Sequence, residues 1–156
     1  MEKVRIVPLI VSFAIVILVA FLGGLFTSSG TTSSWYHEIK PSITPPNFVF
    51  PIAWTILFVL IAISLYLAWT SAEKEQKKKI ALFYGINLFL NVLWSFIFFG
   101  MRNPTLAFAE VILLWGSIFL MISAARRVNK TSAWLLVPYL LWVAFASLLN
   151  YLAMFG

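Results

Sequence analysis

Residues 80–100 read "IALFYGINLFLNVLWSFIFFG" and carry no charged side chain. A helix of this length is about 30 Å long, which matches the hydrocarbon thickness of a bilayer. A soluble protein of this size has too small a core to bury several such runs. The segment therefore predicts a membrane-spanning helix.

The rest of the chain repeats this pattern. Of its residues, 62% are hydrophobic and 10% are charged, against about 45–50% and about 25% in soluble domains. Five segments are apolar enough to span a membrane: about 6–26, 50–70, 80–100, 105–125 and 133–155. Because most of the connections are short, sequential helices should be antiparallel neighbours. We predict an all-α integral membrane protein with a single five-helix domain over residues 1–156.

The distribution of Lys and Arg predicts the orientation, because cytoplasmic loops are enriched in these residues. Only Lys40 and Arg102 lie on one side of the predicted spans. The other side carries nine basic residues, namely Lys3, Arg5, Lys74, Lys77, Lys78, Lys79, Arg126, Arg127 and Lys130. We expect a multi-pass protein of the cell membrane, with the N-terminus inside and the C-terminus and long first loop outside.

The composition excludes several classes of function. Because the chain has no cysteine, it has no disulfide, thiolate nucleophile or cysteine-bound metal. One histidine and five acidic residues leave too few groups for a metal site, for hydrolysis or for phosphoryl transfer. The net charge of +6 resides in clusters at helix ends, which is typical of a membrane surface and not of nucleic-acid binding.

Polar and aromatic residues form a stripe on the third span. Asn87, Asn91, Trp94 and Phe98 recur every three or four residues and therefore share one face. The second and fifth spans carry similar stripes: Trp54, Phe58, Ile61 and Leu65, and Pro138, Trp142, Phe145 and Leu149. Facing stripes of this kind predict a cavity with aromatic walls and a few polar groups, the usual form of a small-molecule site. The alternative is that these asparagines have no ligand role and only join helices through interhelical hydrogen bonds.

The first loop contains an unusual number of prolines. The stretch 35–51, "WYHEIKPSITPPNFVFP", contains four of the seven prolines in the chain. Proline fixes φ and removes a backbone donor, so such a loop can be ordered without a regular hydrogen-bond ladder. We interpret it as a lid over the outer end of the cavity. A rigid spacer without a ligand role is the alternative.

Two ionisable residues stand apart from these stripes. Glu110 is the only acidic residue within a span, and since a proton relay needs further ionisable partners, we assign it a structural or interfacial role. His37 lies in the first loop, where we expect a surface position in preference to haem ligation.

The chain resembles the tryptophan-rich sensory protein and translocator protein family, also called peripheral-type benzodiazepine receptors. The resemblance runs in order from residue 35 almost to the C-terminus. Its motifs are Trp35-Tyr36, Lys40-Pro41, Pro45-Pro46, Phe50-Pro51, Trp54-Thr55, Asn87, Asn91, Trp94-Ser95, Phe98-Phe99-Gly100, Pro138-Tyr139, Trp142, Ala146 and Leu149-Asn150.

The resemblance implies a five-helix bundle that binds tetrapyrroles such as protoporphyrin IX, and isoquinoline carboxamide or benzodiazepine ligands in the same pocket. It also implies light-dependent oxidative porphyrin breakdown, for which Trp54 and Trp142 would be the catalytic electron donors. No resident cofactor is expected; porphyrin is the ligand or substrate, and light and oxygen drive its degradation. The pattern and the resemblance together predict this ligand-binding set: Tyr36, Pro46, Trp54, Phe58, Asn87, Leu90, Asn91, Trp94, Trp142, Phe145 and Ala146.

Two other functions also fit the sequence. One is passive transport of tetrapyrroles or similar apolar compounds across the bilayer; the other is a stress-sensing or regulatory interaction. A sterol role is disfavoured, because no basic residue follows Tyr151 as the cholesterol pattern of animal members requires.

Small residues predict close helix approach at two places. Ala20 and Gly24 have small-xxx-small spacing, and Gly116, Ser117 and Ala124 lie along the fourth span. These residues fit packing inside the bundle and packing between two copies equally well. The resemblance favours a homodimer.

Overall fold

A computed structural model describes residues 4–156 of the chain, so Lys3 lies outside the described residues. Within that range the protein is helical, with no strand. The helices are α1 (Ile6–Gly30), α2 (Ser34–Ile39), α3 (Val49–Ser71), α4 (Lys74–Ser95) with a π-helical segment (Phe96–Gly100), α5 (Pro104–Val128), α6 (Lys130–Leu135) and α7 (Val137–Ala153). Five helical stretches are long and apolar enough to span a membrane, the fifth being α6 with α7. The predicted all-α, five-span membrane fold is confirmed.

Helix α4 begins at Lys74, before the apolar run that starts at residue 80. The reason is a capping box: the Glu73 carboxylate accepts from the backbone of Gln76, and the Gln76 side chain accepts from the Glu73 N–H at 2.8 Å. This pairing satisfies two orphan donors at the helix start. A polar turn therefore extends the helix beyond its apolar run.

Helix α5 begins at Pro104, directly after its N-cap residue. Asn103 is its N-cap, and its side-chain oxygen accepts from the Leu106 N–H at 2.9 Å. Pro104 occupies the first turn, where its missing N–H has no helical partner to lose.

The fifth span differs from the expected continuous helix over 133–155. It starts earlier, at Lys130, because Asn129 caps α6 through the Ser132 N–H at 3.0 Å. The helix then breaks at Leu136, just before Pro138. Proline lacks a backbone donor and clashes with the preceding turn, which accounts for the break.

The core is apolar and closely packed between the helices. Its most buried large side chains include Ile61, Ile118, Met121 and Tyr139, each at most 1% exposed. Many large apolar side chains instead face outward, as Phe89, Leu113 and Leu141 do. An apolar outer surface is the arrangement that a bilayer stabilises, since lipid tails replace water around it.

The basic helix ends meet at one end of the bundle. The Arg5 N–H donates to the Tyr66 hydroxyl at 3.1 Å, and Asn129 Nδ2 donates to Ser71 Oγ at 3.1 Å. These bonds bring the start of α1 and the end of α5 beside the last turns of α3. We call this the basic end; the first loop lies at the opposite end. The predicted orientation in the membrane, with the N-terminus inside and the C-terminus outside, remains a prediction.

Candidate functional site

A cavity of about 430 Å³ opens within the half of the bundle that carries the first loop. All five spans and the first loop contribute to its wall. Small residues of α1 line one side, including Gly23, Gly24 and Thr27. Its size lies in the range of small-molecule sites, roughly 300–1,000 Å³.

Aromatic side chains form much of the wall. Trp54, Phe58, Trp94 and Trp142 all line the cavity. Each indole is held by a neighbouring ring: Trp54 by Phe58 with centroids 5.4 Å apart, and Trp94 by Phe98, stacked at 5.1 Å. Such contacts restrict the rings to one orientation and leave their remaining faces for an apolar ligand.

A chain of hydrogen bonds lies at the floor of the cavity. Asn91 Nδ2 donates to the Tyr139 hydroxyl at 3.0 Å, and that hydroxyl donates to Asn87 Oδ1 at 3.2 Å. Asn87 Nδ2 then donates to Ser117 Oγ at 2.8 Å, which donates to the Leu114 carbonyl at 2.6 Å. The chain links α4, α7 and α5. Asn91 and Leu114 line the cavity, and Asn91 is therefore the polar side chain of this network that is placed to meet a ligand.

Trp94 is tied to the last span. Its Nε1 donates to Asn150 Oδ1 at 3.0 Å, and Asn150 Nδ2 donates to the Pro104 carbonyl at 2.8 Å. One asparagine thus joins α4, α5 and α7 at the end of the bundle that carries the first loop. By contrast, the buried Trp142 Nε1 has no hydrogen-bond partner among residues 4–156.

The first loop contributes part of the wall. It differs from the expected irregular backbone by containing the short helix α2. Ser33 caps this helix through the Tyr36 N–H at 3.2 Å, and Lys40 ends it in an extended conformation, as the residue before a proline prefers. Tyr36 and Pro41 face the cavity.

Tyr36 anchors α2 on the end of α4. Its ring packs edge-on against Phe99 at 5.5 Å and Phe98 at 6.3 Å. Burial raises the pKa of the Tyr36 phenol above its ordinary value, because the interior disfavours the charged form.

Both of these phenylalanines belong to the π-helical segment Phe96–Gly100. They lie in the protein interior, 3% and 9% exposed. Gly30 of α1 lies against Phe99 so closely that a Cβ there would overlap the ring. This packing positions the aromatic platform for the first loop.

The structure brings seven of the eleven predicted ligand residues to the cavity: Tyr36, Trp54, Phe58, Asn91, Trp94, Trp142 and Ala146. The other four lie elsewhere. Pro46 is exposed, Leu90 packs against the core, and Phe145 packs against Trp142 at 5.9 Å. Asn87 is fully buried beneath the floor and bonded to Tyr139 and Ser117, so its contact with the cavity is indirect. Ligand binding by these residues remains a prediction.

Several features of the site were not anticipated. The contribution of α1 was missed, although glycines at 23 and 24 with Thr27 would permit a cavity beside a helix backbone. Tyr139 belongs to the Pro138-Tyr139 motif, and its hydroxyl is the centre of the floor network. Ala20 and Gly24 line the cavity, while Ser117 and Ala124 are buried in the bundle. The proposed dimer contacts of these small residues remain a prediction.

The two isolated ionisable residues have contrasting positions. His37 is exposed on α2. Glu110 is not at a water-exposed interface: it is 5% exposed, and neither carboxyl oxygen has a hydrogen-bond partner among residues 4–156.

These features define a class of protein: a five-span helical membrane protein that encloses an aromatic cavity at one end. The TspO/MBR family model matches residues 12–155. The chain is 38% identical to the tryptophan-rich protein TspO of Chlorobaculum tepidum, over 94% of each chain. It is 39% identical to the tryptophan-rich protein TspO of Archaeoglobus fulgidus, over 94% of this chain and 95% of that one. It is 35% identical to the translocator protein of Ovis aries, over 84% and 79% respectively. The chain therefore belongs to the TspO/MBR family, as the sequence motifs predicted.

Proposed function

We propose that this protein binds a tetrapyrrole, protoporphyrin IX or a related porphyrin, in the aromatic cavity and promotes its light-dependent oxidative degradation. The observation that carries the proposal is that the indoles of Trp54 and Trp142 both line one cavity. A flat, largely apolar macrocycle with polar edges is matched by aromatic walls and a small number of polar groups. The same features support binding of isoquinoline carboxamide and benzodiazepine ligands.

The indoles are the candidate electron donors to the photo-excited porphyrin, and dioxygen is the terminal oxidant. Trp142 is held between Phe50, at 6.1 Å, and Phe145, while Trp54 lies against Tyr139 at 6.2 Å. These contacts keep both rings against the cavity during a reaction. The wall of first-loop residues would also limit the access of water to a bound macrocycle.

Binding and degradation can be measured separately on the detergent-solubilised protein. Titration with protoporphyrin IX in the dark should quench tryptophan fluorescence saturably. Illumination in air should then bleach the porphyrin absorption faster with protein than without it. If quenching does not saturate, or if the protein does not change the bleaching rate, the proposed function is wrong.

Tryptophan variants test the role of the indoles. Trp54→Phe and Trp142→Phe keep an aromatic ring but are much harder to oxidise, so we expect each to slow bleaching more than it weakens binding. Trp134→Phe is the matched control, because Trp134 is 73% exposed and lies outside the cavity. Bleaching rates that are equal in the wild type and all three variants would rule out the indole donors while leaving binding intact.

A further inference from the structure

A second, smaller cavity of about 200 Å³ lies at the basic end of the bundle, between the start of α4 and the end of α5. Its lining consists of Gln76, Lys79, Ile80, Ala124, Arg127 and Val128. It shares no residue with the aromatic cavity, which lies toward the other end. The proposed function makes no use of it.

The charges of this cavity are of one sign. Lys79 and Arg127 face it together with one amide, and none of the acidic residues within 4–156 lines it. The two acidic residues at the start of α4 are engaged elsewhere: Glu75 pairs with Lys78 at 3.0 Å, and the Glu73 carboxylate caps α4. Among residues 4–156, neither Lys79 nor Arg127 forms a side-chain hydrogen bond or ion pair. The cavity thus offers two cations for an anionic group.

Neighbouring basic residues differ in this respect. Lys78 is neutralised by Glu75, and Lys77 lies over the Trp69 ring at 5.6 Å. The amide oxygen of Gln76 accepts from the Glu73 N–H, which directs its NH₂ group away from that bond. Lys79 and Arg127, by contrast, are exposed at the mouth of the cavity, where their charges can meet a ligand.

The inner surface of the cavity is apolar. Ile80 and Ala124 are buried, and Val128 is half-buried. Ile80 is also the first residue of the uncharged run 80–100, so the cavity lies where the membrane-spanning part of α4 begins. A site with cations on its rim and an apolar floor at the edge of the hydrocarbon layer fits a molecule with an anionic head and an apolar tail.

We propose that this cavity binds an anionic phospholipid. Its phosphate lies between the Lys79 ammonium and the Arg127 guanidinium, and the start of its acyl chains follows the apolar floor between α4 and α5. Arg binds phosphate oxygens through paired N–H groups, and Lys binds them as a compact charge. A free phosphate ion has the same headgroup chemistry but gains nothing from the apolar floor.

Native mass spectrometry of the full chain in a mild detergent tests the proposal. Phosphatidylglycerol and phosphatidylcholine with identical acyl chains are added separately, and the apparent Kd of the first bound lipid is measured for each. We expect phosphatidylglycerol to bind more tightly. The variant Lys79→Gln with Arg127→Gln should weaken it by at least about tenfold, because it removes both charge-assisted contacts to the phosphate.

Matched variants separate a site from general charge. Lys74→Gln with Arg126→Gln removes the same charge from exposed positions at the same end but outside the cavity, and should change the Kd by less than about threefold. Lys79→Arg with Arg127→Lys keeps both charges and should retain binding. Circular dichroism verifies that all variants fold.

Three results would overturn the proposal. They are equal binding of the two lipids, equal weakening by the two charge-removing variants, and loss of binding in the charge-conserving variant with its fold intact. Displacement of phosphatidylglycerol by an equal concentration of inorganic phosphate would assign the site to the free ion and would also refute the lipid proposal.

Discussion

Removing one hydroxyl group, in Tyr139→Phe, should destabilise the bundle and disturb the cavity floor. Tyr139 is fully buried, and its hydroxyl is bonded to both Asn91 and Asn87. The phenylalanine variant leaves one amide donor and one amide acceptor without partners. In a soluble core each orphaned group costs about 1–3 kcal/mol. In membranes measured bonds average about 0.6 kcal/mol, because the unfolded reference state also finds partners. We therefore expect a loss of about 2 kcal/mol.

The free energy of unfolding can be measured by reversible titration of mixed micelles with a denaturing detergent, followed by circular dichroism. Tyr151→Phe is the control: its side chain is 45% exposed, so it should lose less than about 0.5 kcal/mol. A double-mutant cycle with Asn87→Leu should show coupling, since Asn87 and Tyr139 share one bond. A Tyr139→Phe protein as stable as the wild type, or strictly additive effects in the cycle, would refute the proposed network.

Three further predictions concern the first loop and the packing beneath it. Porphyrin binding should slow hydrogen exchange at residues 30–44 but not at residues 71–79. Pro45-Pro46→Gly-Gly should weaken porphyrin affinity, because a looser loop loses more entropy on binding. If a tightly bound porphyrin does not change hydrogen exchange at residues 30–44, the first loop is not a lid. Gly30→Ala should lower the free energy of unfolding by about 1–3 kcal/mol, because the added Cβ overlaps the Phe99 ring. Gly116→Ala is the control: among the described residues no atom lies near its added Cβ, so it should not lower the free energy of unfolding in the same assay. Burial raises the pKa of Tyr36, so the contribution of this residue to stability is complete below the ordinary pKa of about 10 and is lost as the pH rises through the raised value. Hydrogen exchange of the α2 amides, corrected for intrinsic rates, should therefore increase over that pH range. In Tyr36→Phe this pH-dependent increase should be absent.

The class of fold and most of the cavity follow from local patterns. Membrane spans depend on the length and hydropathy of single segments, which is why all five were predictable. A helix also places residues three and four positions apart on one face, so the stripes through Trp54, Trp94 and Trp142 indicated a common cavity. The start of α5 was predictable for a similar reason, because the conformational restriction of Pro104 is a property of that residue alone.

The remaining features depend on contacts between segments that are distant in the chain. The stripe placed Asn87 and Asn91 on one face, but the Tyr139 hydroxyl from α7 decides that Asn87 lies beneath the floor and Asn91 lines the cavity. Phe99 faces inward because the π-helical segment packs against Gly30 and Tyr36, and no local propensity encodes that register. The burial of Glu110 likewise results from the neighbouring helices. Helical periodicity specifies which residues share a face, whereas packing of the helices determines the depth of each residue and its partner.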